Sequence, residues 1–300
     1  MPGIVVFAYS EVGWACLDEL LARGHDVRLV ATHQDDPGEN KWFRSVAERA
    51  KAAGIETTIL EAKDGPFLET RIAAIAPDLI LSAYYRRMIP MRVLDRAKRG
   101  AVNMHGSLLP KYRGRAPANW AILHGETRIG VTLHHMVKRA DAGDIVDQEP
   151  VEVGPEETTA DVTVKCVAAA RLVLGRQIDA LLAGTAPRIP QDERQASYFG
   201  GRKPEDGRID WARPAQDIVN LVRAVSEPYP GAFSHVDGKR LFVWRARAVA
   251  GNGAPGTVLS AEPPVIAAGR GAVALLRWQW EGGAKSEAGS LGLASGARLG

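Results

Sequence analysis

The run Gly100-Ala101-Val102-Asn103-Met104-His105 stops at Gly106 and carries an amide and an imidazole two residues apart. A short buried strand sends such residues to one face, so Asn103 and His105 project together. Strand ends are where open α/β sheets present their ligands. There, an amide that donates a hydrogen bond and an imidazole that moves a proton suit chemistry at a carbonyl carbon, acyl transfer above all. The chain continues through Ser107-Leu108-Leu109-Pro110 into Lys111-Tyr112-Arg113-Gly114-Arg115, an apolar clip joined to a glycine-interrupted cationic loop. Taken singly, each feature also has a plain structural reading. A histidine near a strand end is commonly a hydrogen-bonded framework residue, a cationic loop is commonly a solvated turn, and Asp141 lies in a turn-rich stretch where aspartates bond nearby backbone. Ser107 has no evident base beside it, so a covalent acyl-enzyme is not indicated.

Positioning these groups calls for an α/β scaffold. Ile4 to Ala8 is a β-branched strand-length run, and Ser10 is placed to cap a helix over Val12 to Arg23 that Gly24 ends. His25 to Thr32 gives a second strand, so the chain opens as a βαβ unit of a parallel sheet. The first turn, Tyr9-Ser10-Glu11-Val12-Gly13, lacks the Gly-x-Gly-x-x-Gly that lets backbone approach a pyrophosphate, which argues against a dinucleotide fingerprint. His33 to Asn40 is a polar loop at a strand end, solvated or in contact with a ligand. The alternation predicts a helix over Phe43–Ala53, a strand over Thr57–Leu60, a helix over Pro66–Ala76, a strand over Leu79–Ala83 and a helix over Pro90–Arg99. Tyr84 to Pro90, past a strand end, reads either as aromatics anchoring a loop or as a wall for a flat heterocycle.

After the central stretch, a helix begins at Pro117, a favoured first-turn residue. Ile129–Val137 and Ile145–Gln148 read as a hairpin-like pair around the Lys138–Asp144 turn. His134 and His135 face opposite ways on such a strand, so they cannot share a metal by simple spacing, and structural roles are expected of both. A long helix over Thr159–Ala183 closes at Gly184. The breaker-rich residues around Pro187, Pro190, Gly200 and Pro204 suggest a linker. Beyond it, a helix over Ala215–Val225 and short strands at Ala232–Val236, Arg240–Arg245, Gly256–Leu259 and Val273–Leu276 suggest a compact β-barrel. The glycine-rich tail from Glu281 to Gly300 is expected to be only partly ordered.

The 300 residues exceed a usual single domain, and a net charge of +3 from 38 basic and 35 acidic residues is interspersed rather than gathered, so composition asks for no nucleic-acid partner. From residue 205 onward eleven Lys or Arg face nine Asp or Glu, a weak footprint for tRNA. No apolar run approaches the ~20 residues of a membrane span and no signal-like N-terminus is evident, so a cytoplasmic chain is expected. Cys16 and Cys166 have neither disulfide-framework nor zinc-ligand spacing and are expected to be buried thiols, with no metal site.

The compound pattern is specific. The run His105-Gly106-Ser107-Leu108-Leu109-Pro110 with Gly114 beyond it, Asn103 two residues ahead, Asp141 within Lys138–Asp144, the Ser82–Arg86 segment and Pro228-Tyr229-Pro230-Gly231-Ala232-Phe233 together resemble the formyltransferases that use 10-formyltetrahydrofolate. The resemblance spans nearly the whole chain. It implies a Rossmann-like catalytic domain over residues 1–189, a linker over 190–204 and an OB-like β-barrel domain over 205–300. It implies Asn103, His105 and Asp141 as the catalytic set, with Asp141 raising the pKa of His105. It further implies folate contacts from Arg115, Met88, Ile89, Val137, Lys138, Arg139 and Ala140, with 10-formyltetrahydrofolate as donor and no metal. Within the family the resemblance runs to the branch that formylates UDP-4-amino-4-deoxy-L-arabinose in lipid A modification and polymyxin resistance, there as one domain of a bifunctional protein. The acceptor expected is therefore a UDP-amino sugar. Methionyl-tRNA formyltransferase and other sugar-nucleotide N-formyltransferases are the alternatives, and oligomeric state is left open.

Overall fold

The computed structural model describes all residues except 36–39, 60–64 and 288. The expected strand end at Leu60 and the middle of the His33–Asn40 loop lie outside the described residues. In chain order the elements are β1 (Gly3–Ala8), α1 (Ser10–Ala22), β2 (Asp26–Thr32), α2 (Val46–Ala52), β3 (Thr57–Ile59), α3 (Gly65–Ile75), β4 (Leu79–Ala83), α4 (Met91–Leu94), β5 (Ala101–His105), β6 (Arg113–Gly114), α5 (Pro117–Leu123), β7 (Arg128–His135), β8 (Ile145–Glu152) and α6 (Thr159–Ala183). They continue as β9 (Tyr198–Phe199), α7 (Ala215–Val225), β10 (Ala232–Val236), β11 (Lys239–Val249), β12 (Val258–Ala261), β13 (Pro264–Ala267), β14 (Ala272–Trp280) and β15 (Lys285–Ser286).

Contacts divide the chain into two compact units that are discontinuous in sequence, where the sequence suggested one linker. The first holds Met1–Pro117, Arg128–Glu152 and Thr163–Gly200; the second holds Ala118–Thr127, Val153–Val162 and Gly201–Gly300. The breaker-rich residues 190–200 thus pack within the first unit.

The first unit is built on a seven-stranded sheet in the order β3-β2-β1-β4-β5-β7-β8. Strands β1 to β5 run parallel, and β7 and β8 add an antiparallel hairpin at the β5 side. The sheet is therefore mixed and Rossmann-like rather than purely parallel. β1 and β4 are apolar runs buried along their whole length, as strands covered on both faces must be. One face packs Val5, Phe7, Leu29, Ile80, Ile72, Ile89, Val93 and Leu94 into a continuous core. Among the described residues no helix is long and apolar enough to cross a membrane.

Several local expectations change. Ser10 does not cap α1: it is itself the first helical residue, with a left-handed φ of 60°, and Tyr9 precedes it without a side-chain cap. Ser45 is the residue that caps, accepting from the Glu48 N–H at 3.2 Å, and it starts α2 three residues later than the apolar pattern suggested. α4 ends at Leu94: the Ala97 N–H turns back to the Leu94 carbonyl, and the Lys98 and Arg99 N–H groups bond the distant Pro77 and Asp78 carbonyls instead of the helix.

The second unit holds a curled antiparallel half-barrel in the order β10-β11-β14-β13-β12, with β15 beside β14 and α7 packed on it. Strand β13 adds to the strands expected there, and Pro264 sits at its first position, where a missing N–H is tolerated. The tail is tied down rather than loose: Leu291 and Leu299 are buried, Thr257 bridges Arg298, and the Gly300 N–H donates to the His235 carbonyl at 3.0 Å.

Candidate active site

β5 delivers Asn103 half-buried and His105 buried, and β7 lies antiparallel beside it with Asn103 opposite His134 and His105 opposite Thr132. That register puts His134 on the same face as Asn103. Asn103 Nδ2 lies 3.1 Å from His134 Nε2. Asp141 then approaches from the turn after β7, its Oδ1 at 3.6 Å from His105 Nδ1 and 3.5 Å from His134 Nε2. Thus the structure brings together the three residues singled out from the sequence, and adds His134, for which a structural role was expected. The signal for His134 was a register relation, which single-strand periodicity does not contain.

Backbone carbonyls orient both imidazoles. His105 Nε2 lies 2.8 Å from the Tyr112 carbonyl, and His134 Nδ1 lies 2.9 Å from the His135 carbonyl. A carbonyl only accepts, so each of those nitrogens carries the proton. In the neutral rings, His105 Nδ1 and His134 Nε2 are therefore lone pairs facing Asp141, and Asn103 donates to His134. The Asp141 Oδ2 accepts the Gly114 N–H at 2.8 Å.

Asp141 has a left-handed φ of 54°, a conformation aspartate tolerates better than most residues. Glycines make room for it. A Cβ on Gly143 would stand 1.9 Å from the His135 carbonyl oxygen, and one on Gly114, at φ +100°, 2.2 Å from that of Phe199.

Burial pushes the His105 imidazolium down; the Asp141 carboxylate and the Tyr112 carbonyl oppose that push without overcoming it, so its pKa lies below the usual histidine range. Asp141 acts upward as expected, but loss of water outweighs one carboxylate at 3.6 Å, so the net shift is down. For Asp141 burial works upward, but the His105 charge, the His134 edge and the Gly114 N–H prevail and hold the carboxyl well below the usual carboxylate range. The two directions pull apart, since a charged His105 is what burial disfavours. The Gly114 N–H favours the carboxylate directly, and the His105 edge favours it once that edge carries a proton, so Asp141 is the ionised member.

The loop after β5 is framework. Ser107 Oγ donates to the Lys111 carbonyl at 2.6 Å, and Thr132 Oγ1 donates to the Ser107 carbonyl at 2.6 Å while accepting the Leu109 N–H at 3.1 Å. In the cationic loop, Arg115 and Lys111 are exposed, but Arg113 is 0% exposed and not part of a solvated turn. Its guanidinium bonds Gln191, Glu193 and Tyr198.

Of the other expected ligand contacts, Met88 and Val137 are 68% and 43% exposed, Lys138 and Arg139 are exposed, and Ala140 is half-buried. Ile89 points into the core, where Met136 packs against the same cluster, so the loop after β4 and the turn after β7 share one side of the sheet. Tyr85 anchors its loop by stacking on His33 at 4.1 Å. His33 accepts the Arg86 N–H at 3.0 Å, and burial with the Arg87 and Arg86 charges pushes it down to about 4. A cavity of about 540 Å³ lies in the second unit around Asn220, Arg223 and Trp244 and shares no residue with Asn103, His105 or Asp141.

An amide donor, two oriented imidazoles and a largely enclosed carboxylate around one point form equipment for acyl transfer without a covalent acyl-enzyme. Residues 3–177 match the profile of the formyl transferase family, and residues 202–292 match that of the formyl transferase C-terminal domain. The chain belongs to the formyltransferase family. Solved structures share the fold of this formyltransferase. WlaRD, a sugar 3N-formyl transferase solved with dTDP and 5-N-formyl-THF, matches with a TM-score of 0.70 and 18% identity over 92% of this chain and 97% of its own. The N-formyltransferase from Helicobacter canadensis, solved with folinic acid and dTDP-3-aminofucose, matches at 0.68 and 19% over 92% and 99%. HypX from Aquifex aeolicus matches at 0.66 and 21% over 95% of this chain but 46% of its own, so the formyltransferase spans about half the length of HypX.

Proposed function

We propose that this formyltransferase moves the formyl group of 10-formyltetrahydrofolate to the amine of a sugar nucleotide, and that the acceptor is UDP-4-amino-4-deoxy-L-arabinose. A cytoplasmic role in lipid A modification and polymyxin resistance is part of the same proposal. The observation that carries the chemistry is the convergence of Asn103, His105 and Asp141, with two lone-pair imidazole nitrogens turned toward one carboxylate. The described residues fit a folate donor: exposed Met88 and Val137 offer apolar surface on the side of the sheet where Ile89 and Met136 pack together, and Arg115 is free to meet a carboxylate. Backbone of Lys138, Arg139 and Ala140 would read the edge of the heterocycle. The neighbours solved with folate derivatives and with dTDP or dTDP-3-aminofucose support a sugar-nucleotide acceptor, and the +2 balance beyond residue 205 supports it over tRNA.

10-Formyltetrahydrofolate supplies the formyl carbon. The Asn103 amide donates to the carbonyl oxygen as negative charge develops on it during attack by the amine. The Asp141 and His105 pair takes the proton the amine loses. His105, protonated at Nδ1, then holds the oxyanion and returns that proton to the departing folate nitrogen, so the site ends in its starting charge state.

The test is transfer of labelled formyl with three acceptors in parallel: UDP-4-amino-4-deoxy-L-arabinose, a dTDP-amino sugar and methionyl-tRNA. Transfer to the UDP sugar is expected. Transfer confined to the dTDP sugar would replace the acceptor, and transfer confined to the tRNA would overturn the sugar-nucleotide reading.

A further inference from the structure

We propose that Gln191 is a positioning residue for Asp141, and that the buried Arg113 acts on the site through it; the proposal rests on the reading of Asp141 given above. Gln191 lies in the breaker-rich stretch that the sequence presents as a linker. Its Nε2 donates to the Asp141 carbonyl at 2.8 Å and the Gly143 carbonyl at 2.7 Å, so both amide hydrogens bind the backbone of the Asp141 turn. Its Oε1 accepts from Arg113 Nε at 3.1 Å and Nη2 at 2.7 Å. Carbonyls on one side and N–H groups on the other leave a single orientation for the amide.

Arg113 is fixed in turn. Glu193 pairs with the guanidinium at 2.6 Å, Tyr198 Oη accepts from Nη1 at 2.6 Å, and the Arg113 N–H donates to the Ser197 carbonyl at 2.8 Å. Its neighbour Gly114 gives its N–H to the Asp141 carboxylate at 2.8 Å. One dipeptide therefore grips Asp141 twice, on the carboxylate directly and on the backbone through Gln191. The grip has a physical purpose, since a non-glycine residue at φ 54° is strained and persists only where its surroundings hold it. Without Gln191, two carbonyls of the turn lose their donors and the carboxylate is free to leave the imidazoles. Displacement of about 1 Å in a catalytic group can cost about 100-fold in rate.

The test is a double-mutant cycle in the full chain under steady-state conditions, with Gln191→Ala, Asp141→Asn and the two combined. Gln191→Ala is expected to slow turnover about 10- to 100-fold while the KM of donor and acceptor moves less than about threefold. In the Asp141→Asn background it is expected to cost nothing further. Equal losses in both backgrounds would mark a merely structural role and overturn the proposal, as would wild-type turnover in Gln191→Ala. Wild-type turnover in Asp141→Asn would remove the reading of the site itself and this proposal with it. Should Gln191→Ala not fold, Gln191→Glu keeps the side-chain length and the Arg113 contact but lacks the two donors. It should show the same loss, and an unchanged rate there would overturn the proposal.

Discussion

Replacing Asn103 with alanine removes the side-chain amide donor of the site. Asn103 Nδ2 gives one hydrogen to His134 Nε2 at 3.1 Å, which leaves the second for a developing oxyanion. Water is a poor replacement, because the His105, His134 and Asp141 side chains around it are only 7%, 2% and 12% exposed. Loss of such a donor costs about 2.7–4 kcal/mol of transition-state stabilisation, or about 100- to 1,000-fold in turnover. The ground state loses far less. A single neutral hydrogen bond is worth about 1 kcal/mol net, so the fold should survive and KM should change only a few-fold. Product formation from labelled donor, with KM and kcat separated, is the assay. An Asn103→Ala enzyme within about threefold of wild-type turnover, or one that loses only KM, would refute the assignment.

Other perturbations follow from the same geometry. Because burial depresses His105 and His33, the unfolded chain binds more protons than the folded one below their ordinary pKa of 6.5, so stability is full above that pH and falls as pH drops below it. Thermal melts from pH 8 to 4 should show this fall, and it should be shallower in His33→Gln, whose window reaches down to about pH 4; an unchanged profile would contradict it. Arg113→Met should destabilise by about 2–4 kcal/mol, because Gln191 and Tyr198 lose a buried partner while half-exposed Glu193 is resolvated; denaturant titration measures it. Cys16 and Cys166 are buried with thiol pKa values pushed up to about 12, so neither should react with a disulfide reagent until the chain is unfolded; rapid native labelling would contradict that.

The parts of the fold that were legible in the sequence are those set by local periodicity. β4, β10, α6 and α7 lie where β-branched runs and amphipathic turns put them, and Gly184, with φ +75°, closes α6 as a helix-ending glycine should. Asn103 and His105 were legible because strand alternation is local. What was not legible depends on partners distant in sequence. His134 enters the site through the β5–β7 register, Arg113 is buried only because Gln191, Glu193 and Tyr198 close over it, and Leu299 is held by the Gly256 carbonyl. The net direction of the His105 shift was not legible for the same reason. The carboxylate is visible in the sequence, whereas the loss of water that outweighs it appears only when the strands assemble.

Side-by-side rates of wild type and His105→Ala, with labelled 10-formyltetrahydrofolate and UDP-4-amino-4-deoxy-L-arabinose, test the central claim most directly. Formyl should appear on the sugar amine with the wild type and fall at least about 100-fold with the variant, whose folding is checked by its melting curve. Equal rates in the two, or no transfer to the sugar amine by the wild type, would contradict the account.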